Sequence, residues 1–225
     1  MAERIHINGG ESLAHQRDDR QRSPQDRAKQ TVRRLIDATV ALIVDEGETA
    51  VTIERVALAT GLSRGAVYHH FEDRDALVRA AQFDRLAQQP LGDIGALRAA
   101  IRAAQTTADF IAVVELLALA ICEPSRHAVR VVRAGVMGSS SSHPDLAQAL
   151  RGLETSIADD LADVIREGQE RGFVTRSLDA AAIAAVIESV AFGLLIVEFT
   201  AHQPERHDLA KAVSSAFLAF LAETG

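Results

Sequence analysis

At 225 residues, 48% of them hydrophobic, the chain can fill one large domain or two small ones and bury a sizeable core. It has one cysteine, which excludes an internal disulfide and a cysteine-based zinc cluster, and its net charge of −7 does not advertise a nucleic-acid binder. Modest Gly and Pro content and scarce strand-type alternation predict an all-α fold.

The distribution of charge says more than its sum. Residues 17–34 carry seven basic and three acidic groups, a local +4, whereas residues 91–225 carry 11 basic and 17 acidic groups, or −6. Such polarity would orient the N-terminal part on a polyanion and limit non-specific binding. Residues 1–25 read as a flexible basic arm: a disordered leader, an arm lying along a DNA groove, or the product of a start codon placed too far upstream. They hold no apolar signal core, and no stretch approaches the roughly 20 apolar residues of a membrane span, so a cytoplasmic protein without membrane contact is expected.

A first helix is predicted over about Asp26 to Glu46, with Val32, Leu35, Ile36, Val40, Ile43 and Val44 as its apolar stripe and Gly47 as its stop. Residues 52–71 then read as two short helices around a tight turn. Thr52 is an N-cap with Glu54 in the first turn, and Ile53, Val56, Ala57 and Thr60 share one face. Gly61 supplies the left-handed turn residue, Ser63 caps the second helix, and Leu62 and Val67 return to the core. This is a helix-turn-helix pattern, whose second helix enters the DNA major groove.

The pattern, together with the ending Tyr68-x-His70-Phe71-x-x-Arg74-x-x-Leu77, resembles the DNA-binding domain of the TetR family of one-component transcriptional regulators. The resemblance covers roughly residues 27–80, and beyond it only length, helicity and layout agree. Arg74 departs from the lysine usual in the family; charge is kept, but a guanidinium fork differs from a point charge. The resemblance implies a three-helix DNA-binding domain at 26–72 and a helical effector-binding and dimerisation domain at 73–225. It also implies a dimer on double-stranded DNA, reading half-sites about 34 Å apart.

On the recognition helix, Arg64 suits either the O6/N7 edge of guanine or a phosphate. Gly65 and Ala66 let the helix sit deep in the groove, where Ala66 can touch a thymine methyl, and Ser63 can donate to phosphate or base as well as cap. Tyr68 bonds a phosphate by family resemblance. His69 reaches phosphate or a base edge, and His70 either packs and caps or joins it. Thr52 and Arg74 sit at helix starts, where backbone N–H groups also meet phosphate.

A fourth helix is predicted from near Asp73 to near Pro90, using Leu77, Val78, Ala81 and Leu86. Further helices follow over Ala96 to Thr106, Thr107 to Cys122 and Pro124 to Met137. Gly138 and Ser139 to Ser142 read as a loop. Two long helices follow at about 145–171 and 179–200, and a last one runs from Pro204 to near Ala222. The second long helix is apolar nearly all round; by resemblance, the long pair meets its twin in a homodimer, with a central place in a monomer core as the alternative.

The family's effector pocket would lie among the middle helices, lined by Phe83, Phe110, Val114, Leu117, Cys122, Met137 and Phe192, each of which also suits plain core. Arg130, Arg133 and His127 would either meet an acidic effector or form a solvated face. No nucleophile–base pair, paired carboxylates or metal-ligand spacing is found, so neither an enzyme nor a metal or cofactor site is expected. The expected function is a repressor released from a pseudo-palindromic operator by a small molecule. The alternative is a ligand-independent DNA-binding protein or an activator controlled by a protein partner.

Overall fold

The computed structural model describes residues 23–88 and 90–220. Ten helices make up most of them: α1 (Pro24–Glu46), α2 (Ile53–Thr60), α3 (Arg64–His70), α4 (Arg74–Gln88), α5 (Pro90–Ala103), α6 (Thr107–Ile121), α7 (Arg126–Ser140), α8 (Pro144–Glu170), α9 (Ala180–Glu198) and α10 (Arg206–Leu218). A 3-10 turn at Glu48–Ala50 separates α1 from α2. The chain forms two compact units, the first ending at Ala81 and the second beginning at Gln82. All but the last three residues of the basic arm lie outside the described residues, and α10 ends at Leu218, before the expected end near Ala222.

In the first unit the local capping rules hold. Ser23 accepts from the Asp26 N–H at 3.1 Å to start α1, and Gly47 ends it with φ +88°. The core joins Leu35 and Ile43 of α1 to Val56, Val67, Leu77 and Val78, and Ile53, Ala57 and Thr60 of α2 are buried beside them. The α1 stripe is rotated from the expected one. Val44 points outward, and Thr39 is buried, its hydroxyl satisfied by the Leu35 carbonyl at 2.8 Å. A threonine satisfied within its own helix is tolerated where a free hydroxyl would not be.

In the second unit one core gathers Phe110, Val114 and Ala118 of α6, Leu161 and Ile165 of α8, and Ile183 of α9. Val213 and Phe217 of α10 complete it. Phe110 stacks on Phe173 at 5.2 Å, just past Gly172, whose φ of +79° breaks the chain after α8. Thr106 and Asp109 form a reciprocal capping box on α6, and Asp179 accepts from the Ala182 N–H at 3.0 Å to start α9. A separate small cluster holds Leu86, Val136 and Leu150, with Phe83 against it.

Three sequence expectations are corrected. α5 begins at Pro90 instead of Ala96, a proline being well placed in a first turn. Gly138, Ser139 and Ser140 continue α7 instead of forming a loop; the Ser140 and Ser141 hydroxyls donate back to the Met137 and Gly138 carbonyls, satisfying the helix end. Finally, α9, with 19 residues, is long and apolar enough to cross a membrane by length and composition, a run masked in the sequence by Glu188 and Ser189 near its centre. Its buried residues Ile183, Ala184, Ile187 and Leu194 pack into the core of the second unit.

Candidate nucleic-acid interface and ligand cavity

Thr52 caps α2 by accepting from the Arg55 N–H at 3.2 Å. Gly61 adopts φ +67°, and the Leu62 N–H returns to the Ala57 carbonyl at 3.0 Å, closing the turn. Ser63 then caps α3 through the Ala66 N–H at 3.1 Å. Val67, fully buried, anchors α3, which puts Arg64, Gly65, Tyr68 and His69 on the opposite, exposed side together with Ser63. Ala66 and His70 are half-buried at its margins, and the His69 and His70 rings meet edge to face at 5.0 Å. A helix of two turns, held by one buried valine and a tight turn, thus presents cationic, hydroxyl and imidazole groups along one face.

Arg64 is not loose on that face: it pairs with Glu54 of α2 at 2.9 Å, both side chains being more than half exposed. This exposed pair contributes little to stability, so it can open toward a base or phosphate at small cost. Tyr68 is 49% exposed. Arg74 differs from the rest. Its Nε donates to the Val51 carbonyl at 3.0 Å and Nη2 to the Glu48 carbonyl at 2.5 Å, while Nη1 pairs with Asp75 at 2.8 Å. Its guanidinium therefore ties the start of α4 to the segment between α1 and α2, and it is engaged within the unit where the helix start had suggested phosphate. Arg34 likewise donates to the Thr60 carbonyl at the end of α2.

The second unit contains a cavity of about 400 Å³ walled by α5, α6, α7, α8 and α9, within the size range of small-molecule sites. Most of the wall is aliphatic, including Leu97, Leu117, Ile121, Leu161 and Ile187, with Phe192 as its one aromatic. Of the seven residues expected to line a pocket, Leu117 and Phe192 do so. Phe110 and Val114, with Leu117, border a much smaller adjoining void of about 40 Å³. Phe83, Cys122 and Met137 line neither. Phe83 belongs to α4, which contributes no wall; Cys122 caps the end of α6 within the core; Met137 lies one turn beyond Arg133, partly exposed.

Four charged residues interrupt the apolar wall: Arg126, Arg130, Arg133 and Glu188. Arg130 and Arg133 are not a solvated face. Arg130, 7% exposed, donates from Nη1 to the Ile121 carbonyl at 3.0 Å and from Nη2 to Glu198, which His127 Nδ1 also meets at 2.7 Å. Burial works to raise the Glu198 carboxyl, but its bonds from Arg130 and His127 outweigh that and hold it below the ordinary value. Arg133 forks onto Glu154, with Nε–Oε1 at 2.9 Å, and its guanidinium carbon lies 5.8 Å from the Phe192 ring centre. Glu188 was not among the sequence candidates, although it is the lone acid from Ala180 to Val197. That isolation was the available signal. Burial pushes its carboxyl up, with Arg133 pulling the other way and Glu154 adding to the rise.

Comparison with known proteins bears on both units. Residues 35–81 match the family described as bacterial regulatory proteins, tetR family. Over 83 residues the chain is 35% identical to the HTH-type transcriptional regulator BetI of Cronobacter sakazakii, covering 37% of this chain and 41% of that protein. The match thus spans less than half of that relative's length. The crystal structure of a TetR-family transcriptional regulator from Cytophaga hutchinsonii superposes with a TM-score of 0.60 at 16% identity, covering 88% of this chain and 98% of the other. A Saccharomonospora viridis protein solved in complex with choline gives 0.60 at 19%, covering 87% and 99%. At such identities the structural likeness speaks for the fold.

Proposed function

The chain belongs to the TetR family of helix-turn-helix transcriptional regulators, and on that premise we propose that it is a repressor, released from a pseudo-palindromic operator by a small molecule held in the α5–α9 cavity. The observation that carries the DNA-binding half is the exposed face of α3, with Arg64, Tyr68 and His69 displayed around the buried Val67. In this reading Arg64 exchanges Glu54 for a guanine edge, Tyr68 and His69 hold phosphate, Ser63 and Thr52 add contacts at helix starts, and Gly65 and Ala66 admit close approach. Arg74 is a positioning residue that sets the segment before α2.

The dimer forms through α8 and α9. Ala182, Val186, Ser189 and Ile196 lie along one exposed side of α9, with Ile196 at 75% and Phe199, just after the helix, at 77% exposure. Val186, Ile196 and Phe199 are large apolar side chains left exposed near one another, a surface awaiting a partner, and a second copy supplies the two-fold symmetry that two half-sites require. A small molecule in the cavity weakens DNA binding to the extent that it prefers the conformation with lower DNA affinity, and DNA opposes the ligand by the same factor. The protein acts in the cytoplasm, where its DNA is.

The test is fluorescence anisotropy with DNA flanking the protein's own gene against scrambled DNA of equal length, at one physiological salt concentration. Binding tighter by ~10³-fold or more to the flanking DNA is the expected result. Equal weak binding there, and no enriched site in a genome-wide selection of bound fragments, would overturn the operator reading.

A further inference from the structure

Arg130 Nε and Glu188 Oε1 are the two buried side-chain polar atoms among the described residues that lack a hydrogen-bond partner, and both residues line the same cavity. Orphaned buried polar atoms are uncommon and costly, so two in one cavity wall call for a reason. The Arg130 side chain is firmly anchored. Arg130 is held by the Ile121 carbonyl and Glu198 through its two terminal nitrogens, leaving the Nε–H as one fixed donor. Glu188 sits in the middle of α9, and burial favours its uncharged form, which both donates and accepts.

Charge in the wall narrows the occupant further. Arg130 and Arg133 are already neutralised by Glu198 and Glu154, which stand outside the lining. A carboxylate brought to Arg130 Nε would lie beside the Glu198 carboxylate. A cation would find a single acid in the wall, Glu188, with Arg126 there besides the two paired arginines. Either charge would also lose part of its water against a mostly aliphatic wall. We infer that the effector is an uncharged, largely apolar small molecule with a hydroxyl or N–H group that meets Glu188 and an oxygen acceptor that meets the Arg130 Nε–H. The inference rests on the effector-cavity reading above and names the chemical class of that site's ligand.

The test uses the full-length protein and four probes on one apolar skeleton: naphthol, methylnaphthalene, naphthoate and trimethylnaphthylammonium, titrated by calorimetry. Naphthol should bind about tenfold or more tighter than each of the other three, the difference a satisfied buried hydrogen bond supplies. Glu188→Leu should abolish that preference while leaving methylnaphthalene binding as tight as before or tighter. It should leave the melting temperature of the ligand-free protein unchanged or raised, because an orphaned carboxyl has been removed. Glu188→Gln, which keeps a donor and an acceptor, should retain most of the naphthol preference.

Tightest binding of naphthoate or of the ammonium probe, equal binding of all four, binding of none, or an unchanged preference in Glu188→Leu would each overturn the inference. Operator release, measured in parallel, separates the two readings. A charged probe that binds and releases DNA sinks the ligand class and keeps the effector cavity. Naphthol that binds with the stated preference yet leaves DNA bound keeps the ligand class and sinks the effector role.

Discussion

Replacing Arg74 with glutamine should lower the stability of the DNA-binding unit and leave its affinity for phosphate unchanged. The guanidinium spans two backbone carbonyls, of Val51 at 3.0 Å and Glu48 at 2.5 Å, and pairs with Asp75 on the surface. The Asp75 pair adds little, since Asp75 is 67% exposed. A hydrogen bond from a charged donor contributes about 1.5–3 kcal/mol; counting the Val51 bond in full and the exposed Glu48 bond at a fraction gives about 2–3 kcal/mol lost. Glutamine is too short to serve both carbonyls. Lysine, with one compact ammonium, reaches one of them and should lose about half as much.

The assay is urea unfolding followed by tyrosine fluorescence. Tyr68 is the chain's single tyrosine and there is no tryptophan, so the signal reports on the first unit alone. DNA affinity would be measured across salt concentrations where each variant is fully folded. Unfolding free energy within about 0.5 kcal/mol of wild type, with a salt slope shallower by about one, would refute the positioning role and make Arg74 a phosphate contact.

Three further outcomes are expected. Arg64→Ala should relax base preference at one position of each half-site by about 1–3 kcal/mol, whereas Tyr68→Phe should weaken binding to all sequences by similar factors, both with near-normal stability. Competition anisotropy against single-base operator variants checks this, and loss confined to one sequence in both variants would sink the division of roles. Ile196→Glu should shift the protein from dimer to monomer in sedimentation velocity; an unchanged dimer would place the interface elsewhere. Gly168→Ala should be destabilising by about 1 kcal/mol. The added Cβ would sit 2.9 Å from Val174 Cγ2, and overpacking of about 1–3 kcal/mol exceeds the helix-propensity gain of up to about 1 kcal/mol. A rise in melting temperature would show that Val174 gives way easily.

Much of this protein was legible in the chain because it depends on neighbours three or four residues apart. The caps at Thr52, Ser63 and Asp179, the left-handed Gly61 and the face shared by Arg64, Tyr68 and His69 follow from helix geometry and local hydrogen bonding alone. Periodicity alone misplaced the edge of the α1 stripe, because a threonine that satisfies its hydroxyl inside its own helix can enter the core. What the tertiary structure decided is where distant segments meet. Arg74 finds its carbonyls 23 and 26 residues back, Arg130 finds Glu198 68 residues on, and the cavity takes walls from five helices. A helical pattern says which side of each helix is apolar, but not which other helix covers it. The partners of a buried charge, the residues around a void and the atoms left unpaired there are set only when those helices pack, since burial and hydrogen bonding between them are properties of the assembly.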